Sequence, residues 1–261
     1  MRAALLAIFT IAMLAVPKLW HNIKGADFHL FSKHVFEIVQ GNDFPPEMAC
    51  ALDQPFHYWA KGSQFYVYLS DDGNYVLKIP RASKMRESLL DRFANRKIRK
   101  PDVFVSMQIA RDCLMLQTAL FYVHLEKTLK DFFPVKLYDR IHRSQRVNLS
   151  SVPFVLQKRH TLMSTALLEA KEVNEAKKIL LAYLDLILFE KSQGVMSHDC
   201  AFWLNFGFND GQAFRLDVGS YVPIDRGFSL KHIAKPVIHW LKEHSELANW
   251  FEQEIERREK A

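Results

Sequence analysis

Cysteine is scarce in this chain. Cys50, Cys113 and Cys200 are odd in number and far apart, which excludes a disulfide framework and any Cys-rich metal knuckle. The folded domain therefore suits a reducing setting or is indifferent to redox. Charge of one sign is also only mildly in excess. Against 29 Asp and Glu stand 35 Lys and Arg, a net charge of +6, with acids interspersed nearly everywhere. Zinc-finger spacing and RNA-binding signatures are missing, so nucleic acid is not an expected partner; anionic ligands or a membrane surface are as far as the charge reaches. There is no internal repeat and no low-complexity segment. Long apolar runs are missing too, with one exception at the amino terminus.

That exception is Ala3 to Val16, almost wholly apolar, with Arg2 before it and Pro17-Lys18 after it. It is short for a membrane span and typical of the apolar core of a signal peptide. The expectation is a signal or anchor segment at 1–24 that associates the protein with a membrane, the remaining domain cytoplasmic, with export as the alternative. An apolar helix packed on the domain is the other reading. The rest is ordinary globular composition, 49% hydrophobic and 25% charged, and 261 residues suffice for one large core or two lobes.

Read in order, 29–40 has helical spacing. Phe65–Leu69 and Tyr75–Ile79 are strand-forming around an Asp71-Asp72-Gly73 turn. Lys78 lies inside the second, apolar strand, where an ammonium is costly without an anion; an edge-strand Lys facing water is the alternative. Lys84 to Lys100 is a basic run that reads as a solvated helix face, with a surface for anionic lipid or an acidic partner as the alternative. Val103 to Leu125 reads as one long helix with a stripe at Ile109, Cys113, Leu116, Leu120 and Val123. Pro134–Asp139 and Val152–Gln157 are strand-like, separated by a basic loop with Arg140, His142, Arg143 and Arg146. Val173–Lys191 is an amphipathic helix. Asp225-Arg226-Gly227 is a turn, Ser229 caps a helix ending before Pro236, and two short packed helices close the chain.

The chemistry gathers between Ser197 and Val218. Asp199 is a base candidate, and Asn205 and Asp217 are oxygen ligands for a hard cation. Mg²⁺ is usually held by one or two protein groups plus phosphates, and phosphoryl transfer needs such parts. Asn205-Phe206-Gly207-Phe208 begins a strand, Asn209-Asp210-Gly211 turns it, and Phe214-Arg215-Leu216 returns to Asp217-Val218-Gly219. Incidental acids on a buried hairpin are the bland alternative.

These residues resemble the protein-kinase-like superfamily, whose catalytic loop H-R-D-x-x-x-x-N precedes a hairpin and D-F-G; Asn-Phe-Gly is similar to HipA-like and other atypical bacterial kinases. The resemblance covers roughly Phe56 to Val222. It implies an α+β, bilobal kinase-like fold: a small antiparallel-sheet amino-terminal lobe over 25–158 and a mainly helical carboxy-terminal lobe over 159–261. ATP and Mg²⁺ are the implied cofactors, and the partner is an unknown hydroxyl acceptor, protein or small molecule. Lys78 would hold phosphates, Gly62 would lie in the turn covering them, and Asp112 would pair the Lys in place of the family's Glu. Gln157-Lys158-Arg159 would be the hinge. Asp199 would orient the acceptor, and Asn205 and Asp217 would bind metal. The sequence departs from the pattern in having one glycine in the turn, no A-P-E, and six residues rather than five from Asp199 to Asn205. Either the loop holds an extra residue and Asp199 is the base, or Cys200 occupies the base position. In the latter case the protein is a non-catalytic, membrane-associated pseudokinase or binding scaffold.

Overall fold

Alternating aromatic and β-branched residues between 56 and 80 form strands because one side of each can be buried. The computed structural model describes residues 46–81, 103–125, 134–224, 227–243 and 245–260. The segment 1–24, the expected helix at 29–40, the basic run Lys84–Lys100 and Asp225-Arg226 lie outside the described residues. The chain divides into two units, 1–87 with 124–154 and 88–123 with 155–261.

In the first unit, helix α1 (Pro46–Leu52) buries Met48, Ala51 and Leu52. Strands β1 (Phe56–Lys61), β2 (Phe65–Ser70) and β3 (Tyr75–Pro80) make an antiparallel meander. The β2–β3 turn is fastened by Asp72, whose carboxylate accepts from Ser70 Oγ at 2.6 Å and from the Asn74 backbone at 2.9 Å. Burial works to raise the Asp72 pKa, but these hydrogen bonds hold it below the ordinary value. Gly73 supplies the positive φ the turn needs, +72°.

The expected strand at 134–139 is present as β5 (Val135–Tyr138), but the basic loop after it is shorter than read. Ser144–Val147 forms a further strand, β6, so Arg146 is on a strand. Asp139 organises the intervening turn, accepting from the backbones of Ile141 and Arg143 and from Arg143 Nε at 2.7 Å. The hairpin joins the meander through a parallel β1–β5 pairing, Phe56 opposite Leu137, in the order β3-β2-β1-β5-β6.

In the second unit the expected long helix is corrected. Helix α2 ends at Cys113 (Val103–Cys113), and Leu120–His124 is a strand, β4. The aromatic and branched run Leu-Phe-Tyr-Val favours the pleat, and Ala119 turns the chain at φ +52°. Leu120 and Val123 of the expected stripe are buried on β4, but its helical part is not the buried face. Leu116 is 80% exposed, and α2 buries Val103, Ser106, Met107 and Ala110. Strand β7 (Phe154–Lys158) neighbours β4, with Lys158 N donating to Ala119 O at 2.9 Å.

Strand β8 (Thr161–Leu162) and helix α3 (Met163–Glu169) lead to helix α4 (Val173–Ser192), the axis of the unit's core. Its face of Ile179, Leu180, Tyr183, Leu184 and Ile187 is buried, as its periodicity predicts. Gly194, at φ +72°, closes its end. Then come β9 (Val195–Ser197), a one-turn helix α5 (Phe202–Asn205), the hairpin β10 (Phe206–Asn209) and β11 (Gln212–Arg215), and β12 (Tyr221–Pro223). The small sheets are β11-β10-β8 and β12-β9.

Ser229 caps helix α6 as expected, accepting from His232 N at 3.2 Å, but α6 (Leu230–Trp240) runs through Pro236 instead of stopping before it. A proline inside a helix costs about 3 kcal/mol. The stripe Leu230, Ile233, Ala234 and Val237, which straddles it, is buried and offsets that cost. Helix α7 (Ser245–Lys260) packs Phe251 and Ile255 into the same core. With seven α-helices among the described residues, the fold is α+β.

The expectation of membrane association is corrected: no helix among the described residues is long and apolar enough to cross a membrane.

On α7, Glu254 receives bidentate hydrogen bonds from Arg257 at 2.7 and 2.8 Å and one from Arg258. Arg257 chiefly, then Arg258, holds the Glu254 pKa at about 2, below its ordinary 4.5. A depressed carboxylate stabilises the fold above its unfolded pKa and loses that contribution as pH falls through the folded one. Urea midpoints should therefore drop between pH 4.5 and pH 2, and Glu254→Gln should flatten part of that drop. An unchanged slope in the variant would remove Glu254 from the acid response.

Candidate functional site

A buried ion pair frames the site. Arg215 and Glu190 are 1% and 2% exposed, and the guanidinium meets the carboxylate through Nε at 3.0 Å and Nη2 at 2.7 Å. This two-pronged geometry suits arginine. Tyr221 Oη donates to Glu190 Oε1 at 2.8 Å, and the guanidinium carbon lies 4.1 Å from the centre of the Phe206 ring. Burial alone would lower the Arg215 pKa, but the Glu190 carboxylate outweighs it, so the guanidinium stays charged. Burial pushes the Tyr221 hydroxyl well above its usual pKa, reinforced by Glu190.

The remaining prong carries the frame into the loop: Arg215 Nη1 donates to the carbonyl of Asp199 at 3.2 Å. Asp199 is half-buried. Its Oδ1 accepts from Ala201 N at 3.0 Å, and its own amide donates to Ser197 Oγ at 3.3 Å. Cys200 turns back, its thiol donating to Ser197 O at 3.8 Å. Burial pushes that thiol's pKa up, so it is neutral at physiological pH and a poor proton acceptor.

Between Asp199 and Asn205 the chain winds into α5. Asn205 N donates to Ala201 O at 3.0 Å, and a helical residue advances about 1.5 Å where an extended one advances about 3.3 Å. Phe202 is fully buried, edge-on to Tyr183 at 5.9 Å and beside Trp240, while Trp203 is 47% exposed. Phe202 alone of that aromatic pair anchors the loop.

Asn205 is buried, and its side-chain nitrogen has no hydrogen-bond partner. The nitrogen and oxygen of an asparagine amide are distinguished only by the bonds around them, so the orphaned position does not fix which of the two lies there. The Asn205 carbonyl accepts from Leu216 N at 2.8 Å, which fixes the loop's end beside the residue before Asp217. Asp217 Oδ1 accepts from Gly219 N at 3.0 Å. The hairpin between them is in register, Phe206 opposite Arg215 and Asn209 opposite Gln212. Its two turn residues, Asp210 and Gly211, have φ of +49° and +77°. One amide and one carboxylate are a donor set that fits Mg²⁺ held largely by phosphates. Among the described residues no group of three or more His, Cys, Asp or Glu is placed to hold a metal.

Around this frame, Ser106 Oγ of α2 donates to Val218 O at 2.7 Å and accepts from Tyr221 N at 2.6 Å, tying α2 to the segment after Asp217. Asp112, on the same helix, is exposed and paired with Arg111 Nε at 2.8 Å. At the expected hinge, Gln157 is buried with its amide donating to Thr118 O at 2.6 Å. His160 stacks on Phe214 at 4.1 Å. A Cβ on Gly207 would come within 3.1 Å of His160 Cβ and of a Leu216 methyl, so glycine is needed there for close packing.

The first unit holds the other two candidates. Lys78 is half-buried on β3, opposite Val67. It shares a sheet face with Val67, Leu69 and Val76, whereas the other face, with Tyr68, Leu77 and Ile79, is fully buried. Gly62 N donates to Phe65 O at 2.9 Å, and Arg81 Nη1 donates to the carbonyls of Gly62 at 3.0 Å and Ser63 at 3.3 Å. A Cβ at Gly62 would meet only ordinary contacts.

Sequence reasoning missed Glu190, Arg215, Tyr221, Ser106 and Ser197. A signal existed for the first two. Glu190 interrupts the apolar face of α4, and Arg215 sits between apolar neighbours on a strand, the anomaly that singled out Lys78.

No family model and no curated protein matches the chain. Solved structures overlap with it in part. One of WbdD has a TM-score of 0.40 and 15% identity over 71% of this chain and 37% of that one. A complex of WbdD with the kinase inhibitor LY294002 has a TM-score of 0.39, with 13% identity over the same shares. A structure of the bifunctional kinase-methyltransferase WbdD has a TM-score of 0.37 and 13% identity over 67% of this chain and 33% of that one. The chain thus spans little more than a third of the length of the solved chains it resembles, and no residue role is taken from them.

The frame predicts an asymmetry. Arg215→Met leaves Glu190 buried without its cation and should cost about 3–5 kcal/mol in urea denaturation, whereas Arg215→Met with Glu190→Leu should recover most of that loss. A double variant as unstable as the single one would show that packing around Arg215, not the charge left behind, sets the cost.

Proposed function

We propose that this chain is an ATP- and Mg²⁺-dependent phosphotransferase of atypical kinase-like type, acting on a hydroxyl acceptor. The observation that carries this reading is the buried Asn205 amide, one end of which has no hydrogen-bond partner; with the amide turned so that its oxygen takes that end, it presents a metal ligand. It sits on a loop tied to the Asp217 strand by Arg215 and by the Leu216–Asn205 hydrogen bond. Asp199, with one carboxylate oxygen engaged by Ala201, orients the acceptor hydroxyl through the other and takes its proton. Asn205 and Asp217 hold the metal, Lys78 holds phosphate oxygens, and the Gly62 turn covers them. Asp112 stands as the nearest equivalent of an acidic partner for Lys78. When bound, Mg²⁺ neutralises charge on the transferring phosphoryl group. What the protein supplies is position, and the buried frame keeps the loop from relaxing during the reaction.

A second reading, a non-catalytic binding scaffold of the same kind, is favoured by Cys200. The residue at the family's usual spacing from Asn205 is a thiol kept protonated by burial.

Mg-ATP should raise the melting temperature of the full chain, since a ligand that binds only the native state stabilises it. Lys78→Ala and Asp217→Asn should diminish the rise. Asp199→Asn should abolish ATP consumption while sparing the thermal shift, and Cys200→Ala should change neither. No shift at millimolar Mg-ATP would remove the phosphotransferase reading. Turnover surviving Asp199→Asn would remove Asp199 as the base.

A further inference from the structure

Helix α6 divides into two stripes. Leu230, Ile233, Ala234 and Val237 face the core. Lys231, His232, Lys235, His239 and Lys242, the last one turn beyond the helix, recur on the opposite side at intervals of one, three, four and three residues, spanning an arc of roughly a third of the helix circumference. They line an open concavity of about 490 Å³, bordered on the α7 side by Glu252. None of these residues belongs to the site described above.

We infer that this concavity binds a small molecule carrying two or more phosphate groups. Of the three ammonium groups in the lining, Lys231 is offset by Glu256 and by the nearby Glu259 carboxylate, so the positive field is centred on Lys235 and Lys242, with Glu252 the one carboxylate in the lining. Lysine is a compact point-charge donor suited to phosphate, and the two imidazoles add hydrogen-bonding groups. The helix amino terminus does not contribute: Ser229 and the Glu259 carboxylate already cap it, the latter accepting from Lys231 N at 2.9 Å. Lys231 is partly engaged by Glu256 at 3.6 Å. Lys235 and Lys242 have no ion-pair partner among the described residues, so they supply the free charge. The volume is that of a small-molecule pocket, typically about 300–1,000 Å³. The two free lysines, Lys235 and Lys242, lie about 10 Å apart along the helix, a spacing that suits separated phosphate groups rather than a single one.

The test is isothermal titration of the full chain with sodium tripolyphosphate, without Mg²⁺, at physiological salt. Lys235→Glu with Lys242→Glu should weaken binding by at least about tenfold, and Lys235→Gln with Lys242→Gln by less. Glu252→Gln should hold or strengthen it. Inorganic sulfate should bind far more loosely. The binding event removed by the lysine pair should persist in Lys78→Ala and Asp217→Asn, which separates it from any phosphate bound at the nucleotide site proposed above. No binding at about 1 mM tripolyphosphate, equal affinity in folded charge-reversed protein, equal affinity for sulfate, or loss of binding in Lys78→Ala or Asp217→Asn would each overturn the inference.

Discussion

The candidate site depends on one arginine that the protein had to desolvate completely. A buried guanidinium is tolerable only when its donors are satisfied, and Arg215 spends them on Glu190 at the end of α4 and on the Asp199 carbonyl. Three elements remote in sequence are thereby held in one arrangement: the long helix, the loop and the return strand of the hairpin. Tyr221 closes the set by donating to the same carboxylate. Replacing this pair with hydrocarbon would keep the volume and lose the direction, because only a planar fork sets both the loop carbonyl and the helix end.

The candidate loop is kept short by winding. The chain after Asp199 turns once as a helix that ends at Asn205, and Phe202 fills the core beneath it. The turn of helix draws the acid and the amide together along the chain, while the thiol between them points back at Ser197.

Much of the architecture was legible because local chemistry and burial agree. The β2–β3 hairpin, helix α4, the Asn209–Gly211 turn and the Ser229 cap are all places where residue type and tertiary contact favour the same conformation. Misreadings arose where they do not. The segment 103–125 has helix-compatible spacing throughout, yet its aromatic second half pairs as a strand. Pro236 signals an end, yet the apolar stripe carries the helix past it. The candidate loop and hairpin were visible as a pattern of acids and amides. Their mutual fastening was not, because the charge of Arg215 among apolar neighbours shows that a partner is needed but not that the Asp199 carbonyl is one.

The parallel pairing of β1 with β5 has a consequence for synthesis. Phe56 emerges long before its partner Leu137, so the β1–β3 meander can form early, but one flank of β1 stays unsatisfied. Non-local pairings are slow to close, and an open strand flank is a template for a second chain. The nascent protein therefore passes through a stage in which its own sheet is adhesive. The β1 flank is covered when the 135–147 hairpin arrives, and slower translation between these segments would lengthen its exposure.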